Sequence, residues 1–358
     1  MGKALMGAAA VVALTSLGSG AVWAQDKLKV GFVYVGPIGD FGYSYQHEQG
    51  RLAVEKALGD KVTTTYVENV PEGADAERVI EQLAASGHKL IFTTSFGFMN
   101  PTLKVAQRYP DVKFEHATGY KRAKNVATYS ARFYEGRSVA GTIVGKMTKS
   151  NIIGYIGSFP IPEVVSGINA FTIALREQNP KAEVRVVWVN SWYDPPKEAE
   201  AAKALIDQGA DVIVQHTDSS APVQAAEERG LWAVGQSSDM TRFGPKAHLT
   251  GIVDDWNGYY IQRVQAVLDG TWKAEDTWGG LKDKMLYLAP YNPAIPAEVV
   301  ALANKVRDGI MDGSHHSFTG PIKDQSGKVM IPAGQHASDE QILKMDWFVE
   351  GVVGKLPK

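Results

Sequence analysis

Lys29-Val30-Gly31-Phe32-Val33, near the start of the chain, and Ile152-Ile153-Gly154-Tyr155-Ile156, in its middle, are two versions of one apolar pentad with glycine at the centre. The segments downstream of the two pentads repeat as well. Val79-Ile80-Glu81-Gln82-Leu83 leads to Gly87 and then to Leu90-Ile91-Phe92; Ala202-Lys203-Ala204-Leu205-Ile206 leads to Gly209 and then to Val212-Ile213-Val214. Short apolar runs separated by helical patterns read as strands joined by crossover helices, hence βαβ units and a parallel sheet. The glycine after each helical pattern stands where a helix C-terminal cap belongs. Strand, helix end and next strand recur at nearly one offset, which points to two similar α/β lobes in tandem rather than one large sheet.

Outward from these blocks, runs at 28–35, 62–67, 90–94 and 112–115 predict the first four strands, with helices over 45–58, 74–86 and 101–108 between them. The pattern restarts after a short polar junction at 147–151, and a hinge needs only a few residues able to change φ and ψ. Past Asp255 come a helix over 257–268, a turn at Asp269-Gly270, the apolar Met285-Leu286-Tyr287-Leu288 and a helix over 296–311. The tail carries Gly327-Lys328-Val329-Met330-Ile331-Pro332-Ala333-Gly334, which reads as a hairpin, and a short helix after Asp339. The expected division is a first lobe of residues 25–147 plus about 256–285, and a second of 148–255 plus about 286–358.

Residues 1–24 read as a signal peptide. Lys3 precedes an apolar stretch over 4–14, and Ala21-Val22-Trp23-Ala24 stands before the polar Gln25-Asp26-Lys27, a layout that predicts cleavage after Ala24. The stretch is too short and too rich in Gly, Ala and Ser to cross about 30 Å of hydrocarbon as a helix. The chain has no cysteine, so disulfides and a lipid-carrying cysteine are excluded and stability must come from core burial. A formal net charge of −2 without a basic block argues against a nucleic-acid partner. The expectation is an exported, unlipidated chain that is free in solution outside the cytoplasm.

Ligands of open α/β sheets bind beyond the carboxyl ends of the strands, and in paired lobes those ends can face each other across a cleft. The loops there are Gly36-Pro37-Ile38-Gly39-Asp40-Phe41-Gly42-Tyr43-Ser44, Ser95-Phe96-Gly97-Phe98, Thr118-Gly119-Tyr120, Ser158-Phe159-Pro160, Asn190-Ser191-Trp192-Tyr193-Asp194, His216-Thr217-Asp218, Gln236-Ser237-Ser238-Asp239 and Asp254-Asp255-Trp256. They combine aromatics with neutral or acidic hydrogen-bonding residues and contain no Lys or Arg. Phosphate and carboxylate ligands want cations or helix N–H groups. A flat, uncharged, nitrogen-rich molecule suits this set instead, since aromatic faces add about 0.5–1.5 kcal/mol each beyond area burial. Purine bases and nucleosides fit, and so do some sugars. Ser95, Phe96, Trp192, His216, Gln236, Asp254 and Trp256 are candidate ligand contacts.

Enzymatic signals are weak. Gly36-x-x-Gly39-x-x-Gly42 has the wrong spacing for a dinucleotide loop, and Asp40 would repel a pyrophosphate. His47-Glu48 lacks the second histidine of a zinc helix. His315-His316 reads as a surface turn, and no G-x-S-x-G elbow occurs. The expectation is binding without catalysis, and no metal or cofactor.

Four features together resemble a known family: Gly36-x-x-x-Asp40-x-x-Tyr43-Ser44 after the first strand, Tyr134-Glu135-Gly136 with Gly141, Asp194-Pro195, and Asp207-Gln208-Gly209-Ala210-Asp211-Val212-Ile213. Over about residues 29–270 the chain is similar to the basic membrane protein family of ABC-importer substrate-binding proteins, which includes the PnrA-like purine-nucleoside receptors. The resemblance implies the type I periplasmic binding protein fold, two Rossmann-like lobes with a cleft and hinge, and an inner-membrane ABC permease as partner. It puts the family's first-loop aspartate on Asp40, its base-stacking aromatics on Tyr43 and Trp192, and its ribose-binding aspartate on Asp239. Ser44 stands for an asparagine and Asp254 for a ribose-binding lysine. Loss of that cation shifts the expectation from a nucleoside to a free purine base, adenine first, with Trp256 narrowing the site. The alternatives are a purine nucleoside receptor and a periplasmic sensor that presents its ligand to a signalling protein.

Overall fold

The computed structural model describes Met1 and residues 26–39 and 41–357; the expected signal-peptide cleavage site and Asp40 lie outside the described residues. The chain runs β1 (Leu28–Tyr34), α1 (Tyr43–Leu58), β2 (Val62–Val67), α2 (Ala74–Ala85), β3 (Leu90–Thr94), α3 (Met99–Arg108), β4 (Lys113–Ala117), β5 (Val126–Ala131) and α4 (Phe133–Met147). A second round comes as β6 (Ile152–Gly157), α5 (Pro162–Gln178), β7 (Glu183–Trp188), α6 (Pro195–Asp207), β8 (Val212–His216), α7 (Ala221–Glu228), β9 (Trp232–Ser237) and β10 (His248–Asp254). The remainder is α8 (Asn257–Leu268), β11 (Asp276–Gly279), β12 (Leu286–Leu288), α9 (Ala297–Asp312), the hairpin β13 (Ile322–Lys323) and β14 (Val329–Ile331), α10 (Asp339–Leu343) and β15 (Val352–Val353).

Two sheets result, in the orders β11-β5-β4-β3-β1-β2 and β12-β10-β9-β8-β6-β7-β15. The run β5-β4-β3-β1-β2 thus recurs as β10-β9-β8-β6-β7. Pairing is parallel in both sheets except between β10 and β12. Strands such as β3 and β8 are buried along their whole length, as expected where helices cover both faces of a parallel sheet.

The repeated glycines have a steric reason. A Cβ on Gly31 would stand 3.1 Å from Leu83 of α2, and one on Gly154 would stand 2.8 Å from Leu205 of α6. The same small residue lets the equivalent helix rest on the equivalent strand. Gly87 and Gly209 end those helices at φ +90° and +96°, a conformation that glycine adopts without a Cβ penalty.

The tail completes the lobes from both sides. α8 packs on α1, and its Arg263 Nε and Tyr259 hydroxyl donate to the buried Glu115 carboxylate of β4 at 2.5 and 2.7 Å. β11 extends the first sheet while β12 and β15 extend the second. One boundary differs from expectation. α4 packs on α5 and α9 of the second lobe, with Gly141 and Gly145 so close to α5 that added Cβ atoms would meet the Phe171 and Leu175 carbonyls at 2.3 and 2.7 Å. The junction at 147–151 therefore joins α4 to β6 within the second lobe, and the first crossing lies between β5 and α4. The polar composition of 147–151 suggests a hinge, but it is the glycine-lined face of the preceding helix that decides which lobe it joins.

Candidate functional site

At the topological switch of each sheet, the loops after the strands meet a cavity between the lobes. Val35, Tyr43, Ser95, Phe96 and Thr118 line it from the first lobe; Phe133, Glu163, Trp192, His216, Asp218, Gln236 and Ser237 line it from the second. In this closed arrangement the cavity has a volume of about 20 Å³, room for about one water molecule. Lys and Arg are absent from this lining.

Local chemistry sets the shape of the walls. Tyr43 opens α1, lies edge-on to His47 at 4.3 Å, and its buried hydroxyl has no protein partner among the described residues. Ser44 points the other way: its hydroxyl accepts from the Gly36 amide at 3.1 Å and ties the first loop to the helix start. Ser95 donates to Glu72 Oε1 at 2.5 Å, and the same oxygen accepts from the Gly97 amide at 3.0 Å. Across the cleft, Trp192 Nε1 donates to that oxygen too, at 3.1 Å, so one carboxylate of the first lobe orients an aromatic of the second. Trp192 also leans on Phe159, with ring centroids 5.0 Å apart. Asp194, two residues on, caps α6 by accepting from the Lys197 amide at 3.2 Å, with prolines opening the helix. The Asp194-Pro195 motif thus fixes the end of the Trp192 loop.

The lobes also touch directly. Ser238 donates to the Phe41 carbonyl, the Arg242 guanidinium lies 3.9 Å from the Phe41 ring centroid, and a Cβ on Gly42 would come within 2.3 Å of the Asp218 carbonyl.

The second lobe's polar lining is deeply buried. His216 ends β8, edge-on to Phe133 at 5.8 Å, with Nε2 3.7 Å from Glu163 Oε1. Burial pushes its imidazole below the ordinary histidine value, and Glu163 opposes that shift in part. Gln236, near the end of β9, has its side-chain carbonyl held by Arg137 of α4. Behind this layer, Asp254 is 1% exposed; burial first, then the nearby Glu163 charge, pushes its carboxyl well above the usual range.

Of the residues singled out from the sequence, Tyr43, Ser95, Phe96, Trp192, His216 and Gln236 line this cavity. Ser44 serves the loop. Asp239 accepts from the amide and hydroxyl of Thr241, at 3.0 and 2.5 Å. Trp256 is fully buried in the first-lobe core, stacked on His47 at 4.9 Å and 7°, rather than narrowing the cavity. Phe133 and Glu163 are lining residues that the strand-end loops do not include. Each stands in the first turn of a helix: α4 comes after β5, a strand whose composition hides it, and α5 begins at Pro162, just beyond the 158–160 loop. Proline at a helix start is the available signal.

Comparison with known proteins agrees with this architecture. The family model described as ABC transporter substrate-binding protein PnrA-like matches residues 27–338. A purine-binding protein of Brucella abortus is 56% identical over 95% of this chain and 97% of its own length. A proposed ABC transporter glucose-binding protein of Haloferax volcanii is 39% identical over 93% of this chain and 82% of its own. Among solved structures, a solute-binding protein of an ABC transporter from Aeropyrum pernix aligns with a TM-score of 0.70 at 19% identity, covering 88% of this chain and 97% of that one. The chain belongs to the PnrA-like family of ABC transporter substrate-binding proteins, with the two-lobed α/β fold of periplasmic binding proteins.

Proposed function

We propose that this substrate-binding protein captures a purine base, adenine first, between Tyr43 of one lobe and Trp192 of the other, and delivers it to a membrane permease. The observation that carries this reading is the lining itself: aromatic rings from both lobes, the carboxylates of Glu163 and Asp218, the amide of Gln236, and no lysine or arginine. Such a wall repels phosphates and carboxylates, and favours a flat molecule whose ring edges carry amino and imino hydrogens. The 56% identity to a protein named for purine binding supports the same class. Because each lobe contributes part of the wall, a bound molecule stabilises the closed state over the open one, and a permease can read that difference. The protein acts as a receptor and not a catalyst, exported to the periplasm without a lipid anchor and monomeric. Among the described residues no helix is long and apolar enough to cross a membrane.

A nucleoside is the second reading. Phe96, Thr118, Phe133 and Glu163 also border a larger adjoining space of about 740 Å³, room into which a ribosyl group could extend.

Native mass spectrometry of the molecule that co-purifies, followed by calorimetric titration with adenine, adenosine and glucose, tests the proposal. Adenine binding tightest is the expected result. Adenosine binding without adenine would replace the base by the nucleoside, and glucose binding alone would remove the purine class.

A further inference from the structure

We infer that Arg137 sets the hydrogen-bonding polarity of the cavity: by holding the Gln236 carbonyl, it turns the Gln236 amide N–H toward the bound molecule, where it recognises an acceptor nitrogen. The inference rests on the purine reading for the identity of that molecule.

Arg137 rises from α4 and is 0% exposed. Its Nη2 donates to the Gln215 backbone carbonyl at 2.7 Å and to Gln236 Oε1. The guanidinium lies 5.5 Å from the Tyr155 ring centroid, and its Nε and Nη1 have no protein acceptor among the described residues. A guanidinium has only donors, so the Gln236 atom that meets it must be the oxygen. A flipped amide would set donor against donor beside a buried charge already short of acceptors, where an unmet group is costly. The amide nitrogen must therefore face away from Arg137. Gln236 lines the cavity, and among the described residues its amide nitrogen has no acceptor.

Gln215 on the neighbouring strand shows the opposite arrangement. Its amide nitrogen donates to the Thr217 and Ser219 carbonyls at 2.9 and 2.7 Å, bracing the loop that carries His216 and Asp218. One glutamine spends its nitrogen on the backbone; the other keeps it for the cavity. The carboxylates of Glu163 and Asp218, which line the same cavity, are acceptors. A cavity that pairs a fixed donor with carboxylate acceptors complements an amino group near a ring nitrogen. Adenine presents its N6 amino group beside N7, whereas guanine presents O6 beside N7, and a 6-oxo group would meet a carboxylate. Arg137 is thus a positioning residue for selection of 6-amino over 6-oxo purines.

Calorimetric titration of the exported protein with adenine, hypoxanthine and the 1-, 3- and 7-deaza analogues of adenine tests this. Gln236→Glu keeps an oxygen for Arg137 and replaces the donor by a second acceptor. We expect an unchanged melting midpoint, a tenfold or greater loss of adenine affinity, and one deaza analogue that binds weakly to wild type yet no more weakly than adenine to the variant. Full adenine affinity in Gln236→Glu overturns the inference. Arg137→Met frees the amide to rotate and should narrow the adenine-to-hypoxanthine preference; an unchanged preference in the folded variant overturns the positioning role. Should Arg137→Met fail to fold, Gln236→Glu and the deaza series decide alone. A wild type that binds no purine removes the underlying reading and this inference together, and is seen before any variant is made.

Discussion

The two lobes share a strand order and bring different chemistry to the space between them. The first lobe contributes Tyr43 and Phe96 as ring surfaces, and its hydroxyl groups are largely committed to protein: Ser44 to Gly36, Ser95 to Glu72, Thr118 to a backbone carbonyl. The second lobe contributes Glu163, His216, Asp218, Gln236 and Ser237, with Arg137 and Asp254 buried behind them. His216 Nδ1 and Ser158 Oγ of the second lobe, like the Tyr43 hydroxyl of the first, have no hydrogen-bond partner among the described residues. Buried polar groups are ordinarily satisfied, and both lobes carry unmet ones at the space between them. A duplicated scaffold does not imply a duplicated role.

The largest expected effect comes from keeping the two sides apart. Gly42 has an ordinary backbone conformation, φ −100°, so Gly42→Ala brings no strain within its own lobe. Its Cβ would instead stand 2.3 Å from the Asp218 carbonyl of the other lobe. We expect a hundredfold or greater loss of affinity, about 2.7 kcal/mol, at an unchanged melting midpoint. Small-angle scattering of the variant with ligand should show the larger radius of an open form; a compact liganded form would show that this contact is not part of closure.

Trp192→Ala removes the one large ring of the second lobe that is oriented from the first. A ten- to hundredfold loss, on the order of 1–3 kcal/mol, is expected by calorimetry. Unchanged affinity would mean that stacking belongs to the first lobe alone.

Each lobe also carries a buried histidine outside the cavity. Burial lowers His116 of the first lobe from 6.5 to about 3 and His248 of the second to about 4. Both are neutral in the folded protein, while the unfolded chain takes up protons below about pH 6.5. Their stabilisation is complete above that pH and is lost as pH falls toward 4 and then 3, by at most about 1.4 kcal/mol per pH unit for each histidine. Denaturant melts at pH 7, 5.5 and 4.5 should show the decline, and His116→Gln should flatten it by removing the first lobe's share. An equally steep decline in that variant would contradict the assignment.

Glu72→Ala is the smallest change. It releases Trp192 and Ser95 without touching the cavity floor, and should weaken binding several-fold, about 1 kcal/mol. Retained affinity would show that Trp192 needs no cross-lobe anchor.

Much of the fold was legible because its signals are local. Gly31 and Gly154 lie under helices and must be small; Gly87 and Gly209 end helices at positive φ; each requirement leaves a mark at a regular distance along the chain. The strand 126–131 is hidden because Val126-Ala127-Thr128-Tyr129-Ser130-Ala131 mixes small and polar residues among the apolar ones, and burial in the sheet overrides that composition. The candidate site was legible as a set of loops and less so as a set of side chains. Tyr43, Trp192 and Gln236 reach the cavity, whereas Asp239 turns onto Thr241 and Trp256 onto His47, because the direction of a side chain depends on the packing around it.

What the sequence determined alone was the duplicated βαβ block, the lack of cysteine, and strand-end loops rich in aromatics. All of these are properties of neighbours along the chain. Only the tertiary structure decided that α4 joins the second lobe, that Glu72 holds Trp192 from across the cleft, and that Arg137 meets Gln236. Those are pairings between residues far apart in sequence, made by burial and by donors that need acceptors, and no periodicity records them.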